Sequence, residues 1–393
     1  MPSLRILHVT PYFADAWAYG GIPRVVTTLT RGLARRGHAV TVCTTDARDA
    51  SSRVPSGDAR TADGVDVRIF PNFSNRLAYH LQLFLPIGFD RFLRSHAAAF
   101  DIAHLHACRN LLGVMAARRL RAAGVPYVLE PNGTAPLIER RRVAKRIFDV
   151  ALGRRVIAGA TRIVAVSSAE REQFRTLGID PNLVALVPDP VDLDEFRRPI
   201  ARGAFRARFS LEAHRVVLFL GKLTPRKRVD VLIRAFAGLP RPDARLVIAG
   251  NDMGAGAGLR ALVRSLGIEA RTLFTGLLRG HERLEALADA DIVVYPSQDE
   301  IFGLVALEAI LAGTPVIVAD DSGCGEVVRS AGGGELVPVG DAAALAGAIA
   351  RALQGTTART AVAAAADRVR ALYGDEVVCA QLERLYNEIV EGA

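Results

Sequence analysis

Two glutamates, Glu300 and Glu308, stand eight residues apart in the run DIVVYPSQDEIFGLVALEAILAGTPVIVADDSGCGEV, residues 291–327. The run reads as strand, loop, helix, strand and loop: residues 291–295 form a β-branched stretch closed by Pro296, and 315–319 form a second one entered through Gly313. A helix starting near Gly303 carries Leu304, Val305, Ala306, Leu307, Ala309, Ile310 and Leu311, apolar on every face, which predicts burial. Glu308 falls in its middle, and residues 301–319 contain no Lys or Arg to neutralise it. A buried carboxylate without donors is costly, so its partner must come from outside the segment. Glu300 lies just before the helix, and the first amides, at Gly303 and Leu304, form an anion site that the side-chain-free Gly303 leaves open. Carboxylates that accept from hydroxyls, beside amides that donate to phosphate, suit a nucleotide sugar. A core helix whose Glu308 pairs with a distant arginine is the alternative.

Other candidates follow predicted strands. After residues 216–220 the chain reads Gly221-Lys222-Leu223-Thr224-Pro225-Arg226-Lys227-Arg228, and four cations at the carboxyl end of a strand make a pocket for a diphosphate or else an exposed basic loop. Gly250-Asn251-Asp252 closes a strand at 245–250. Near the N-terminus, Gly20-Gly21 precedes a helix from about Pro23 to Arg36, with Arg24 on its first turn, and lets backbone amides approach an anion. His104 and His106 alternate on a strand at 101–106; a structural role is the simpler reading, and no acidic or cysteine partner stands at metal-ligand spacing.

The pattern Glu300, Phe302-Gly303, Glu308-Ala309, Gly313-Thr314-Pro315-Val316, Gly325-Glu326, together with PYF…GGIPRVV…LARRGHAVTV near the N-terminus, resembles retaining glycosyltransferases of family 4. The resemblance covers nearly the full chain and is densest over residues 216–328. It implies the GT-B fold, an α/β architecture of two Rossmann-like domains facing a cleft. It also implies transfer of a sugar, hexose-type, from a UDP- or GDP-sugar to an acceptor hydroxyl on a glycan or lipid-linked saccharide. On that reading the catalytic candidates are Glu300, Asn132 and Lys227. Lys222 and Lys227, with the Gly303 and Leu304 amides, take the diphosphate; Glu308 accepts from ribose hydroxyls; Glu300 holds sugar hydroxyls. Asn251 lies near the nucleotide, and Gly20, Gly21 and Arg24 contact donor phosphate and acceptor. No cofactor beyond the donor co-substrate and no metal is expected, since lysines and amides replace the cation and no Asp-x-Asp motif stands in these loops. One departure matters. In Glu130-Pro131-Asn132-Gly133-Thr134 the family commonly has a histidine where this chain has Asn132, which cannot act as a general base near neutral pH. Front-face attack, with the leaving diphosphate helping to deprotonate the acceptor, leaves Asn132 to orient the sugar or acceptor. A nucleotide-sugar epimerase or sugar phosphorylase on the same fold, and a non-catalytic nucleotide-sugar or glycan binder, are the rival readings.

Composition sets the frame. The 393 residues, half of them apolar, suffice for two cores. Domains are expected at 1–195 and 196–375, with 376–393 a C-terminal helix that in the resembled fold often crosses back to the first. Pro188-Asp189-Pro190-Val191-Asp192 resembles the family's interdomain crossing, which implies a boundary near residue 195. The formal net charge of +9 fits phosphorylated ligands, a membrane surface or nucleic acid, but no aromatic-lined basic motif supports the last. Much of the charge sits on a predicted helix over 135–158, with Arg140, Arg141, Arg142, Lys145, Arg146, Arg154 and Arg155 among Leu137, Ile138, Val143, Ile147, Phe148 and Leu152. Such a helix can rest on an anionic bilayer, each cation adding about 1 kcal/mol, or be a solvated face. The four cysteines are far apart and read as free thiols, and the N-terminus runs directly into a strand, so the expected location is the cytoplasm, with peripheral contact at the inner face of the membrane.

Overall fold

The structure, a computed structural model, describes residues 3–135, 142–355 and 357–392. The chain forms two compact units, Met1–Pro190 with Asp375–Ala393, and Val191–Gly374.

The first unit is built on an eight-stranded sheet of β1 (Arg5–Val9), β2 (Ala39–Thr45), β3 (Gly57–Arg60), β4 (Asp66–Phe70), β5 (Ile102–His106), β6 (Tyr127–Glu130), β7 (Arg162–Ala165) and β8 (Val184–Leu186). Their order is β3-β4-β2-β1-β5-β6-β7-β8. All pairings are parallel except β3 with β4. Apolar runs in the sequence announce every strand but β3, whose Gly-Asp-Ala-Arg is exposed throughout: an edge strand with no buried face has no hydrophobic period to read. β1 and β5 are central and covered on both faces, so their side chains are buried almost without alternation. The registers His8↔His104 and His106↔Glu130 put three histidines and one glutamate on the same face of the sheet.

The helix Asp375–Glu391 packs in this unit. Its Tyr386 hydroxyl lies 2.6 Å from His104 Nδ1. Arg36 Nε donates to Glu383 at 2.7 Å, and Cys379 packs so tightly on Gly32 of helix Ile22–Arg35 that a Cβ there has no room.

The second unit holds β9 (Arg215–Leu220), β10 (Ala244–Ala249), β11 (Thr272–Gly276), β12 (Ile292–Tyr295), β13 (Val316–Ala319) and β14 (Gly334–Val337), all parallel, in the order β11-β10-β9-β12-β13-β14. Helix Leu304–Leu311 is buried as its all-apolar composition predicts. Residues 191–195 belong here and not to the first unit, because Val191 N bonds Tyr373 O at 2.7 Å and Glu195 pairs with Arg283 at 2.5 Å. The division therefore falls at Pro190 instead of near residue 195.

Where one helix over 135–158 was expected, helix Arg142–Phe148 continues through a π-helical stretch, Asp149–Gly153, into Arg154–Ala158. Leu137, Ile138, Arg140 and Arg141 lie outside the described residues, as do the side chains of Arg142 and Lys145. Val143, Ile147 and Val150 are 74%, 65% and 61% exposed. Among the described residues no helix is long and apolar enough to cross a membrane.

Candidate functional site

The candidate residues gather in two groups, one in each unit. In the second unit they occupy loops at the carboxyl ends of β9, β10 and β12, where open parallel sheets bind ligands. Gly250 has φ +155, and a Cβ on it would strike the Gly221 carbonyl; the loops carrying Lys222 and Asn251 therefore run side by side, joined by Leu223 N to Asn251 O at 2.8 Å. Lys222 is half-buried.

Lys227, only 5% exposed, donates through Nζ to the Tyr295 hydroxyl and to Glu300 Oε2, and lies 4.6 Å from the centroid of the Tyr295 ring. Ser297 Oγ donates to the same Glu300 oxygen at 2.9 Å. Burial would raise the Glu300 carboxyl, but the charges of Lys227 and Arg226 outweigh it and hold it at about 2; burial lowers Lys227, and Glu300 opposes that. The Glu300 carboxyl is therefore ionised at neutral pH. The Glu300 carbonyl accepts from Cys324 N at 2.8 Å and Ser322 Oγ at 2.9 Å, tying the loop to helix Gly323–Ala331.

The four-cation pocket needs correction. Arg226 supports the neighbouring loop, donating to Asp299 O at 3.3 Å and accepting from Gln298 N at 2.8 Å; Arg228 reaches Gln298 at 3.4 Å and Asp230 at 3.5 Å. Lys227, bonded to two partners, has one of its three N–H groups left for a ligand.

Glu308 is a second correction. Its side chain is fully buried and Arg283 Nη1 donates to Oε2 at 2.5 Å, while Arg283 Nη2 binds Glu195 at 2.5 Å. The carboxylate expected to wait for ribose hydroxyls is already compensated by an arginine of its own unit, which is the packing alternative. Gly303 also has a different reason from the one expected. It caps helix Leu304–Leu311 at φ +87, and a Cβ would run into Cys324 Sγ, so glycine is required by backbone and packing before any anion arrives.

In the first unit Gly20, at φ +100, ends a short 3-10 turn, Gly21 caps helix Ile22–Arg35, and Arg24 stacks 5.6 Å over Trp17. Asn132 follows β6 at φ +50, and its Nδ2 donates to Glu130 Oε1 at 2.6 Å. Behind Glu130 stand the histidines: His104 Nε2 lies 2.9 Å and His106 Nδ1 3.4 Å from Glu130 Oε2, and His8 Nδ1 meets His106 Nε2 at 3.0 Å. Among the described residues these three imidazoles alone offer ring nitrogens grouped closely enough to hold a cation, within 4.8 Å of one another. The geometry favours a shared proton instead. The His8 and His106 rings are 14° from coplanar with centroids 5.3 Å apart, so the facing nitrogens point at each other along one N–H···N line. Burial holds His8 and His106 well below the ordinary imidazole range and His104 at about 3, so all three are neutral at pH 7.

With both groups placed, comparison with known proteins decides the family. Residues 203–369 match the family model for glycosyl transferases group 1, and residues 19–195 that for glycosyltransferase family 4. A D-inositol 3-phosphate glycosyltransferase of Frankia alni is 34% identical over an alignment covering 95% of this chain and 96% of the relative. One from Kineococcus radiotolerans is 32% identical over 89% and 86%. The chain belongs to the group 1, family 4 glycosyltransferases. A sucrose-phosphate synthase structure from Thermosynechococcus elongatus superposes on this transferase with a TM-score of 0.79 at 25% identity, over 99% of each chain, and the fold is GT-B.

Several residues that shape the transferase's loops escaped the sequence reading. Arg283 sits in a helix of mixed composition, and nothing in its spacing points at Glu308. Glu170 was visible as the glutamate of a capping box after Ser167, and Ser167 Oγ does accept from Glu170 N at 3.1 Å. Its carboxylate, however, accepts from Val166 N at 3.0 Å and, across to the Asn132 loop, from Gly133 N at 2.7 Å. A capping signal names the helix end, not the second element that the same side chain holds.

Proposed function

We propose that this glycosyltransferase moves a hexose-type sugar from a UDP- or GDP-sugar to an acceptor hydroxyl with retention and without a divalent cation. The observation that carries the reading is the buried Lys227–Glu300 pair, braced by Ser297 and Tyr295 at the carboxyl ends of β9 and β12. A cation for a departing diphosphate stands directly beside a carboxylate that accepts from sugar hydroxyls, and the start of helix Leu304–Leu311 adds amide dipoles for the same charge. Lys222 and Asn251, on adjoining loops, serve the diphosphate and the nucleotide. Gly20, Gly21 and Arg24 contact donor phosphate and acceptor. Asn132 orients the sugar or acceptor and takes up no proton, so the leaving diphosphate helps remove the acceptor's.

Melting in a panel of UDP, GDP, ADP and their sugars tests the donor: a nucleotide at 100 times its dissociation constant adds about 2.7 kcal/mol. Stabilisation by UDP or GDP is expected, as is transfer in the presence of EDTA to a saccharide, a lipid-linked saccharide or an inositol phosphate, the acceptor in the relatives' names. No stabilisation by any nucleotide, or transfer abolished by EDTA, overturns the corresponding half. Donor consumed without acceptor points to epimerisation.

The acceptor reading extends to a lipid-linked saccharide on a membrane. Val143, Ile147 and Val150 recur on one exposed helix face beside exposed Arg146, Arg154 and Arg155, a pattern suited to anionic headgroups. Flotation with anionic vesicles at low salt is expected, and its absence removes this part of the reading.

A further inference from the structure

The Asn132–Gly133 turn is held by carboxyl groups for which the transfer chemistry has no use. Both residues are left-handed, with φ +50 and +74. Asn132 Nδ2 donates to Glu130 Oε1 at 2.6 Å and lies 3.5 Å from Asp189 Oδ1, and Gly133 N donates to Glu170 Oε1 at 2.7 Å. Glu130, Asp189 and Glu170 are 3%, 6% and 0% exposed.

The groups facing this cluster come from every element around it. β5 contributes His104 and His106, β1 contributes His8, and the helix Asp375–Glu391 contributes Tyr386 through its bond to His104. Helix Ser168–Thr176 contributes Glu170, and the segment after β8 contributes Asp189. Arg109 binds the far end of the loop at the Thr134 and Ala135 carbonyls and is neutralised there by Asp149 at 2.7 Å. Burial raises Glu130 to about 7, against its bonds to Asn132 and Asp189, and raises Glu170 to about 8. Asn132 Nδ2 reaches Glu130 Oε1 and Asp189 Oδ1 at once, so the two buried carboxyl groups stand side by side, and such a pair avoids repulsion when one of them keeps a proton.

We propose that Glu130 and Asp189 are positioning residues, a carboxyl pair sharing one proton that fixes the Asn132 side chain and its left-handed turn at the carboxyl end of β6. The inference rests on the reading of Asn132 as a residue that orients sugar or acceptor. When the shared proton leaves, two adjacent buried charges repel, the turn loses its anchor, and transfer falls while donor binding, which does not pass through the Asn132 turn, stays.

A double-mutant cycle with pH profiles tests this. Asn132→Ala is expected to lower kcat by about 100-fold, the scale of a misplaced reacting group, with the donor KM little changed. Asn132→Ala/Glu130→Ala is expected to fall no further. Glu130→Gln, which keeps an acceptor for the Asn132 amide but holds no titrating proton, is expected to retain transfer and lose its decline at alkaline pH. Multiplicative losses, or an alkaline decline identical in wild type and Glu130→Gln, overturn the proposal. If Glu130→Ala does not fold, Asp189→Asn takes its place in the cycle. Absence of transfer by the wild type with every donor overturns the functional reading instead. The shared proton is then read from melting: slopes against pH that coincide for wild type and Glu130→Gln overturn it, and a flatter slope for Glu130→Gln supports it.

Discussion

Both units bury carboxylates at or near the carboxyl ends of their strands, yet with opposite results. In the second unit Glu300 faces Lys227 and Glu308 faces Arg283, and the Glu300 carboxyl is held at about 2. In the first, Glu130 faces neutral imidazoles and Asp189, Glu170 faces backbone amides, and the two carboxyls rise to about 7 and about 8. Desolvation pushes Glu300, Glu130 and Glu170 upward alike; the sign of the nearest neighbour decides the outcome. The second unit thereby stores fixed charge, and the first stores protons.

The comparison breaks most visibly if the cations are removed. Arg283→Met leaves Glu195 and Glu308 without their shared partner, and Lys227→Met does the same to Glu300; each is expected to cost about 3–5 kcal/mol in urea unfolding, the usual penalty for stranding a buried charge. Losses under 1 kcal/mol would show that water reaches these groups and that the contrast between the units is not one of desolvated charge.

The units should also respond to pH in opposite directions. Glu300 is depressed below its unfolded value of about 4.5, so its contribution is fully present above that and is lost as pH falls towards about 2. Glu130 is raised, so its contribution is present below about 4.5 and is lost as pH rises through about 7. Each window is worth about 3 kcal/mol, and Glu130→Gln is expected to flatten the neutral one alone in stability profiles. A profile in which that substitution changes the acid limb would reverse the assignment.

The smallest effect sharpens the picture of the first unit. Tyr386→Phe removes the hydroxyl bonded to His104 and is expected to cost about 1 kcal/mol in urea unfolding. A loss several times larger would mean that the helix anchors the whole histidine chain through this one contact.

Much of this was legible in the residues. Parallel strands announce themselves as continuous β-branched runs, and the all-apolar helix after Gly303 is buried as its composition requires. The pattern running from Glu300 to Glu326 led to the family and hence to the fold. What escaped were pairings between segments far apart in sequence. Arg283 stands in the helix before β12 and Glu308 in the helix after it, and His8 and His104 are brought level only by the register of β1 on β5. A reading limited to local spacing found no acidic partner for the strand histidines, because Glu130 reaches them from the next strand over. Gly303 shows another limit: an open approach for an anion and a position crowded by Cys324 leave the same letter in the sequence.

The helix Asp375–Glu391 is made after the whole of Val191–Gly374, yet it packs with elements formed at the start. The second unit is thus threaded into the first as an insertion. On the ribosome the histidine-bearing face of the early sheet must stay uncovered while its neighbour is synthesised, so the part of the protein begun first is completed last.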